Sequence, residues 1–427
     1  MCGIIAYSGG VKESQLIKSI KILSHRGPDD SGYKLHGNDG FGHTRLAIQD
    51  LSANGSQPMT DKKNNVSIIF NGEIYNVNEL RKNLQSSSHH FISTSDTEVI
   101  LQLYIKYKEK LLEKIDGIYS FVIWDHSKNI FFIARDPLGI KPLYYYCQNN
   151  KFICSSEIKA IITDKDVSKS LNFKAITSHM IYLWSPNPHT MFSSISKLEP
   201  GSALVVKNGK ILKKWSFYNL NFNHNNSYQN KILDPVNELK ELLFSSVKKQ
   251  LISDVPIGSF LSGGVDSSAI AALVKIVQPD IKLKTFSINI EGISSKEDGM
   301  SNDLPYAKFM ADYLGYDLNI INVNSSIISH LDKMIYHLDE PTADPAALNT
   351  MMISKIAKEN GIKVLLSGTG GDDLFSGYRR HTALMSEKYW KWLPDSVIHQ
   401  IPKMISKIPN YNNSVRRIKK ALEYINL

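Results

Sequence analysis

In MCGIIAYSGG a cysteine stands directly behind Met1, followed by glycine and a short apolar run. If Met1 is removed, Cys2 carries both a thiol and a free α-amine. The thiolate is the attacking form of cysteine, and a neighbouring amine can take the thiol proton. An α-amine, with an ordinary pKa of roughly 7.7–8.0, suits that work near neutral pH. The same position also reads as a small buried side chain that happens to come second.

Two further strings carry the marks of an anion site. In SFLSGGVDSS, Ser259 to Ser268, an apolar strand end runs into Ser-Gly-Gly, then Asp266, then two serines that open a helix. Glycines let backbone amides approach a ligand without Cβ interference, and a helix amino terminus supplies oriented donors. No Gly-Lys-Ser/Thr follows, so this is not a Walker loop, nor is it the dinucleotide GxGxxG. Asp266 beside bound phosphates is placed to hold Mg²⁺. LLSGTGGDDLFSGY, Leu365 to Tyr378, repeats the logic, with Ser367-Gly368 after an apolar strand and carboxylates close behind. Each string alone also reads as a capped or glycine-rich turn.

A fourth group suits an amino acid. In IIFNGEIYN, Asn71 and Gly72 follow an apolar strand, and a side-chain amide plus a glycine N–H makes an oxyanion hole for acyl transfer to a thiol. Glu73 and Asp96 can hold an ammonium, and Arg45 a carboxylate through its planar fork. The plain alternatives are a hairpin turn at Asn71-Gly72, a helix N-cap at Asp96 and a surface charge at Arg45.

The elements that must position these residues fall into two patterns. GFGHTRLAI, VSIIFNGEI, YSFVIWD, NIFFIARD, PLYYYCQ and KFICSSE are short, rich in β-branched or aromatic residues and divided by polar turns, as strands are. KESQLIKSIKIL and DTEVILQLYIKYKEKLLEKI have helical spacing. Antiparallel sheets carrying packed helices are expected there. NLNFNHNNSYQNK, residues 219–231, is Asn-rich and weakly apolar, and reads as a linker. Beyond it helix and strand alternate through IGSFLSG, KLKTFSINI, DLNIINV and IKVLLSG, which predicts a parallel sheet with helices on its faces.

Bulk properties agree with a folded chain of two or three domains: 427 residues, 42% hydrophobic and 21% charged. Three cysteines, Cys2, Cys147 and Cys154, argue against a disulfide framework, and no secretory signal or membrane-length apolar run is present, so the expected location is cytoplasmic. The formal net charge is +9, and residues 381–427 hold eight Lys or Arg against three acids. Solvated helix faces account for that excess better than a nucleic-acid footprint, and neither a nucleic acid nor a membrane is expected as a partner.

Taken with SHRGPDDSG, GHTRLAIQDL, SDTEVIL, DGIYSFVIWD, ARDPLGIKPLYY, SSEIKAI, KLEPG and DEPTADPAALNT, these strings resemble the glutamine-dependent asparagine synthetases. That family belongs to the broader amidotransferase group with an amino-terminal cysteine nucleophile. The resemblance runs in family order over nearly all of residues 1–381, and RGPD with SGGVDSS excludes relatives that share only the glutaminase half.

The resemblance implies a two-domain α+β and α/β chain. An amino-terminal antiparallel sheet sandwich with helices, of Ntn-hydrolase type, spans 2–218. A parallel-sheet α/β ATP-pyrophosphatase domain follows the linker over 232–427, expected to lack its carboxy-terminal part. It implies that Cys2 attacks the glutamine amide with Asn71 and Gly72 holding the oxyanion, and that Arg45, Asn71, Gly72, Glu73 and Asp96 bind glutamine. It implies an internal passage for ammonia. ATP would be bound by Leu261, Ser262, Gly263, Gly264, Asp266, Ser267, Ile288, Ser367 and Gly368, and Mg²⁺ by Asp266 and Asp372. Aspartate would pass through an acyl-adenylate to asparagine, releasing AMP and pyrophosphate.

Two features depart from the family: Thr369, and a stretch after SGY that holds no Arg-x-Pro-Phe/Leu string and no clear counterpart of the late catalytic lysine. Where adenylate formation is associated with an acidic residue, this chain has Thr369, which cannot act as a carboxylate base. The same chemistry on another carboxylate, such as a sugar acid of surface polysaccharide, therefore stays open. So does a regulatory or binding protein with a dead synthetase half. The partners expected are small molecules, and a homodimer is compatible with the sequence.

Overall fold

The computed structural model describes residues 1–86, 89–220, 234–290, 303–342, 344, 346–378, 381, 385 and 392. From residue 221 the expected linker lies outside the described residues, as do all eight basic residues of the carboxy-terminal stretch. The chain forms two compact units, residues 1–256 with 327–352, and residues 257–326 with 353–427. The first unit thus takes in more of the chain than the 218 residues marked off by the Asn-rich stretch.

The first unit opens with β1 (Gly3–Ser8), α1 (Glu13–Ile22), β2 (Asp30–His36), β3 (Asp39–Arg45), β4 (Met59–Asp61) and β5 (Val66–Ile74). Next come α2 (Val77–Gln85), α3 (Asp96–Tyr107), β6 (Gly117–Asp125), β7 (Ile130–Arg135), β8 (Tyr144–Gln148) and β9 (Lys151–Ser155). They are followed by α4 (Ile158–Ile161), α5 (Phe173–Tyr182), β10 (Ile195–Lys197), β11 (Ser202–Lys207), β12 (Lys210–Ser216) and α6 (Pro235–Gln250). Two six-stranded sheets result, ordered β10-β8-β9-β1-β3-β2 and β12-β11-β7-β6-β5-β4, with antiparallel neighbours throughout.

Strand alternation explains how they stack. In β1, Ile4 and Ala6 point one way and pack with Ile69, Val122, Trp124 and Ile133 of the facing sheet. Ile5 and Tyr7 point the other way, onto Leu16, Ile20 and Leu23 of α1 and its end and onto Ile158 and Ile161 of α4. In β5, Phe70 turns outward with Phe121 and Ile123 to meet Leu80 and Leu84 of α2 and Val99, Ile100 and Leu103 of α3. The order is helix, sheet, sheet, helix, and strands buried on both faces read as nearly unbroken apolar runs.

The second unit holds β13 (Ile257–Phe260), α7 (Val265–Val277), β14 (Lys284–Ile290), α8 (Leu304–Leu314) and β15 (Asp317–Val323). The chain then passes through α9 (Leu331–Leu338), in the first unit, and α10 (Ala346–Glu359) to reach β16 (Val364–Leu366) and the short α11 (Gly371–Phe375). The four strands pair in parallel in the order β15-β14-β13-β16. Among the described residues no helix is long and apolar enough to cross a membrane.

The layer between the two sheets is the mechanical centre of the first unit. Phe41 and Trp124 meet there edge to face, with ring centroids 5.4 Å apart. Phe41→Ala is expected to lower stability by about 3–5 kcal/mol, read as a shift of the urea transition. A shift worth less than about 1 kcal/mol would contradict a close-packed inter-sheet layer.

Candidate active sites

Cys2 lies just before β1, half-buried. Its Sγ accepts from the Leu46 N–H at 3.4 Å and lies 3.7 Å from the Leu46 carbonyl oxygen, directly after β3. Arg26 Nε donates to the Cys2 carbonyl at 2.9 Å. Burial pushes the thiol pKa up, while the neighbouring α-ammonium and the Leu46 N–H draw it back down. The Cys2 nitrogen is held in the peptide bond to Met1, so freeing an α-amine on the cysteine requires Met1 to leave.

The facing sheet contributes β5. Asn71 pairs across the ladder with Ser120 and Gly72 with Tyr119, so this is mid-strand and not a hairpin turn. Asn71 is 1% exposed, and its Nδ2 has no hydrogen-bond partner among the described residues. An unpaired buried donor costs about 1–3 kcal/mol, which an incoming oxygen recovers. At Gly72 a Cβ would lie 2.3 Å from the Ile118 oxygen and 2.7 Å from the Tyr119 Cα, so only glycine fits.

Glu73 and Asp96 form an acidic pair. Ser95 is the N-cap of α3, and Asp96, next in the chain, reaches back to accept from the Ile74 N–H at 3.1 Å. Glu73 accepts from Gln49 Nε2 at 2.6 Å. Burial, then repulsion from Asp96, raises Glu73 to about 8, and burial raises Asp96 to about 6. Such a pair favours a cation beside it.

Arg45 is 6% exposed and is no surface charge. Its guanidinium donates to the carbonyls of Ser52 at 3.0 Å, Gln49 at 3.5 Å and Asp50, bracing the loop that carries Gln49. No carboxylate is ion-paired with it among the described residues. Its positive charge is therefore solvated by carbonyls alone.

Lys141 belongs to this group and was not singled out from the sequence. The buried Asp136 carboxylate accepts from the N–H groups of Leu138 (3.1 Å), Ile140 (2.9 Å) and Lys141 (2.9 Å), and from Tyr119 (3.3 Å) opposite Gly72. That turn carries the 8% exposed Lys141, whose pKa burial lowers while Glu73 and the Cys2 thiolate raise it. The available signal was a lone lysine inside the apolar and aromatic stretch PLGIKPLYY.

In the second unit the candidate residues gather at the carboxyl ends of β13 and β16. β14 and β15 lie on one side of β13 and β16 on the other, so strand order reverses there, where open parallel sheets bind ligands. Leu261 is fully buried and donates from its N–H to the Phe286 carbonyl at 2.9 Å. Ser262 Oγ and Ser267 Oγ are 3.0 Å apart, and Ser262 Oγ also accepts from the Gly264 N–H at 3.3 Å. Gly263 has φ +83, and a Cβ there would lie 2.5 Å from the Ala307 nitrogen. Gly264 caps α7 without a side-chain hydrogen bond, which leaves the first-turn N–H groups open to an anion.

The two loops of this unit touch. A Cβ on Gly371 would lie 2.2 Å from Asp266 Oδ2, and one on Gly368 2.8 Å from the Asp266 Cβ and the Ser267 nitrogen. Asp266 therefore occupies the space beside Gly371, immediately before Asp372, while Asp372 Oδ1 lies against Gly377. Asp266, in the first turn of α7, is a hard oxygen donor of the kind Mg²⁺ takes alongside phosphates, and in that respect fits the ion, whereas the Asp372 carboxylate is turned onto Gly377. Among the described residues no cluster of three or more His, Cys, Asp or Glu forms a metal site. Ile288 lies on β14, paired with Ile321. Thr369 bonds back within its own loop, its Oγ1 2.6 Å from Ser367 Oγ.

The first unit thus holds a thiol on one sheet and a vacant amide donor on the strand of the facing sheet that contacts it, and the second a glycine-rich pair of loops at a strand-order switch, an arrangement of the kind a glutamine amidotransferase joined to a nucleotide-type α/β unit requires. Comparison with known proteins agrees. Residues 1–218 match the glutamine amidotransferase domain and residues 238–426 match asparagine synthase. Asparagine synthetase [glutamine-hydrolyzing] 1 of Bacillus subtilis is 36% identical over 408 residues, 93% of this chain and 62% of that protein. A Methanocaldococcus jannaschii protein provisionally named asparagine synthetase [glutamine-hydrolyzing] 2 is 35% identical over 89% of this chain and 76% of its own length. An amidase of Penicillium rubens is 28% identical over 88% of this chain and 57% of its own. A solved glutamine phosphoribosylpyrophosphate amidotransferase from B. subtilis aligns with a TM-score of 0.40 at 15% identity, covering 86% of this chain and 91% of that one. The chain belongs to the glutamine-hydrolysing asparagine synthetase family and spans about 62% of the length of the first B. subtilis relative.

The acidic pair makes a testable contribution to stability. Because the folded-state pKa of Glu73 is raised from 4.5 to about 8, the folded chain keeps a proton that the unfolded chain has released. Stability is full below the lower value and is lost as pH rises toward the upper one. The thermal midpoint is expected to fall across that window, and Glu73→Gln to flatten the fall. Parallel curves for the two proteins would contradict the assignment.

Proposed function

We propose that the chain is an ATP-dependent amidating ligase that takes nitrogen from glutamine and transfers it to aspartate. The observation that carries this reading is the buried, unpartnered Asn71 amide on the strand that faces the Cys2 sheet. Once Met1 is removed, the α-amine of Cys2 takes the thiol proton and Sγ attacks the side-chain carbonyl of glutamine. Asn71 Nδ2 and the Gly72 N–H receive the developing oxyanion. Glu73 and Asp96 hold the substrate ammonium, and the carbonyl-braced charge of Arg45 attracts its carboxylate. Collapse of the tetrahedral adduct breaks the C–N bond, the α-ammonium returns its proton to the leaving nitrogen, and water then cleaves the thioester to glutamate.

In the second unit Leu261, Ser262, Gly263, Gly264, Asp266, Ser267, Ile288, Ser367 and Gly368 are the proposed ATP-binding residues. Asp266 and Asp372 would hold Mg²⁺, which when bound neutralises phosphate charge. The acceptor carboxylate attacks the α-phosphorus, releasing pyrophosphate, and ammonia then attacks the acyl carbon and displaces AMP. Thr369 favours a second reading, the same chemistry on another carboxylate such as a sugar acid. Its hydroxyl is engaged with Ser367, and no carboxylate stands at that position.

Supplying ammonium bypasses the glutaminase half. AMP release from ATP and Mg²⁺ with ammonium is expected to depend on aspartate and to yield asparagine; no aspartate-dependent AMP, with release restored by a sugar acid, would favour the second reading. Cys2→Ala is expected to abolish glutamine-dependent product while leaving ammonium-dependent product within about twofold. Glutamine-dependent product surviving that change would exclude Cys2 as nucleophile.

A further inference from the structure

Cys2 is tied to a buried series of ion pairs that leads out of the first 218 residues. Arg26, whose Nε holds the Cys2 carbonyl, donates from Nη1 to Glu157 Oε1 at 2.9 Å. His25 Nε2 lies 3.0 Å from the same oxygen, and Lys159 Nζ lies 2.5 Å from Glu157 Oε2. Lys159 Nζ also reaches Asp339 Oδ1 at 2.8 Å, while Asp339 Oδ2 accepts from the Ile158 N–H at 2.6 Å. The side chains of Arg26, Glu157, Lys159 and Asp339 are 8%, 4%, 10% and 6% exposed.

Asp339 ends α9 in the left-handed conformation, with φ +63, and the next residue, Glu340, pairs with Lys197 Nζ at 2.8 Å. In sequence both carboxylates lie inside the asparagine synthase match, yet in space they belong to the first unit. The cations Arg26, Lys159 and Lys197 are thus interleaved with the carboxylates of Glu157, Asp339 and Glu340. Burial opposes the charge on Glu157, but His25, Arg26 and Lys159 hold its pKa down at about 2; at Asp339 burial pushes the pKa up and Lys159 draws it back.

We infer that Asp339 is a positioning residue for Cys2. Through Lys159 and Glu157 it fixes the Arg26 fork that holds the nucleophile's own carbonyl, so glutamine hydrolysis depends on a residue from the synthetase half of the sequence. The inference rests on the proposed role of Cys2. Removing the Asp339 charge leaves Lys159 compensated by Glu157 alone and draws that carboxylate away from Arg26. The planar Arg26 fork makes both contacts, Nε to the Cys2 carbonyl and Nη1 to Glu157, so a shift of that carboxylate turns the whole guanidinium.

The test is steady-state glutamate release by the full chain. Asp339→Asn keeps an oxygen for the Ile158 N–H and removes only the charge. Its kcat is expected to fall about tenfold or more, with KM for glutamine changed by less than about twofold. Glu157→Gln should reproduce that split. Lys197→Met breaks the adjacent pair on the same segment without touching the path to Cys2, and should keep its kcat even where its thermal midpoint drops. Retention of kcat by Asp339→Asn overturns the inference, as does a kcat loss in Lys197→Met that tracks its loss of thermal stability. Should Asp339→Asn fail to fold, Lys159→Gln supplies the same comparison. Cys2→Ala, assayed in parallel, separates the two levels: glutamate release by that variant would overturn the nucleophile assignment itself.

Discussion

Face-to-face packing of two antiparallel sheets is the constraint on which the first unit depends. One sheet delivers Cys2 ahead of β1 and Leu46 after β3; the other delivers Asn71, Gly72 and Glu73 on β5. Ile4, Ala6, Phe41, Ile69 and Trp124 fill the space between them. Buried His43 on β3 adds a polar tie at that seam, its Nε2 lying 3.1 Å from the Phe70 oxygen beside Asn71. Because interiors are close-packed, a slip in this layer moves the thiol and the amide donor relative to each other.

The second unit solves a different problem with a related device. Its two loops pass so close to neighbouring groups that a Cβ would intervene, and the chain uses glycine there. Gly263 satisfies a left-handed turn against Ala307, and Gly368 and Gly371 make room for Asp266. The parallel order of the strands places both loops at one end of the sheet. In the first unit Gly72 serves the same end, freeing space against Tyr119.

Much of this was legible in the residues. Several central strands were, because burial on both faces makes them apolar: VSIIFNGEI is β5 from end to end. Two edge strands of the first unit were not. β2, DSGYKLH, is largely exposed, and β12, KILKKWS, carries its lysines at a sheet edge, so neither shows the apolar signature. α3 ends at Tyr107, where Lys108 takes φ +53, and the chain continues as a 3-10 turn where the spacing suggested one longer helix. At the candidate site, Cys2, Asn71, Glu73 and Asp96 could be singled out by residue type alone. The three carbonyls around Arg45, the turn that buries Lys141 and the pairing of Asp339 with Lys159 follow from contacts distant in sequence. No local spacing encodes them.

The central claim is that the vacant Asn71 amide receives the oxyanion formed when Cys2 attacks glutamine. Steady-state glutamate release by Asn71→Ala tests it most directly, with alkylation of Cys2 by iodoacetamide followed by mass spectrometry as a check that the thiol is intact. The account predicts kcat lowered about 10²–10³-fold with KM for glutamine little changed and Cys2 alkylated at its normal rate. A kcat within about threefold of the unaltered protein would contradict it.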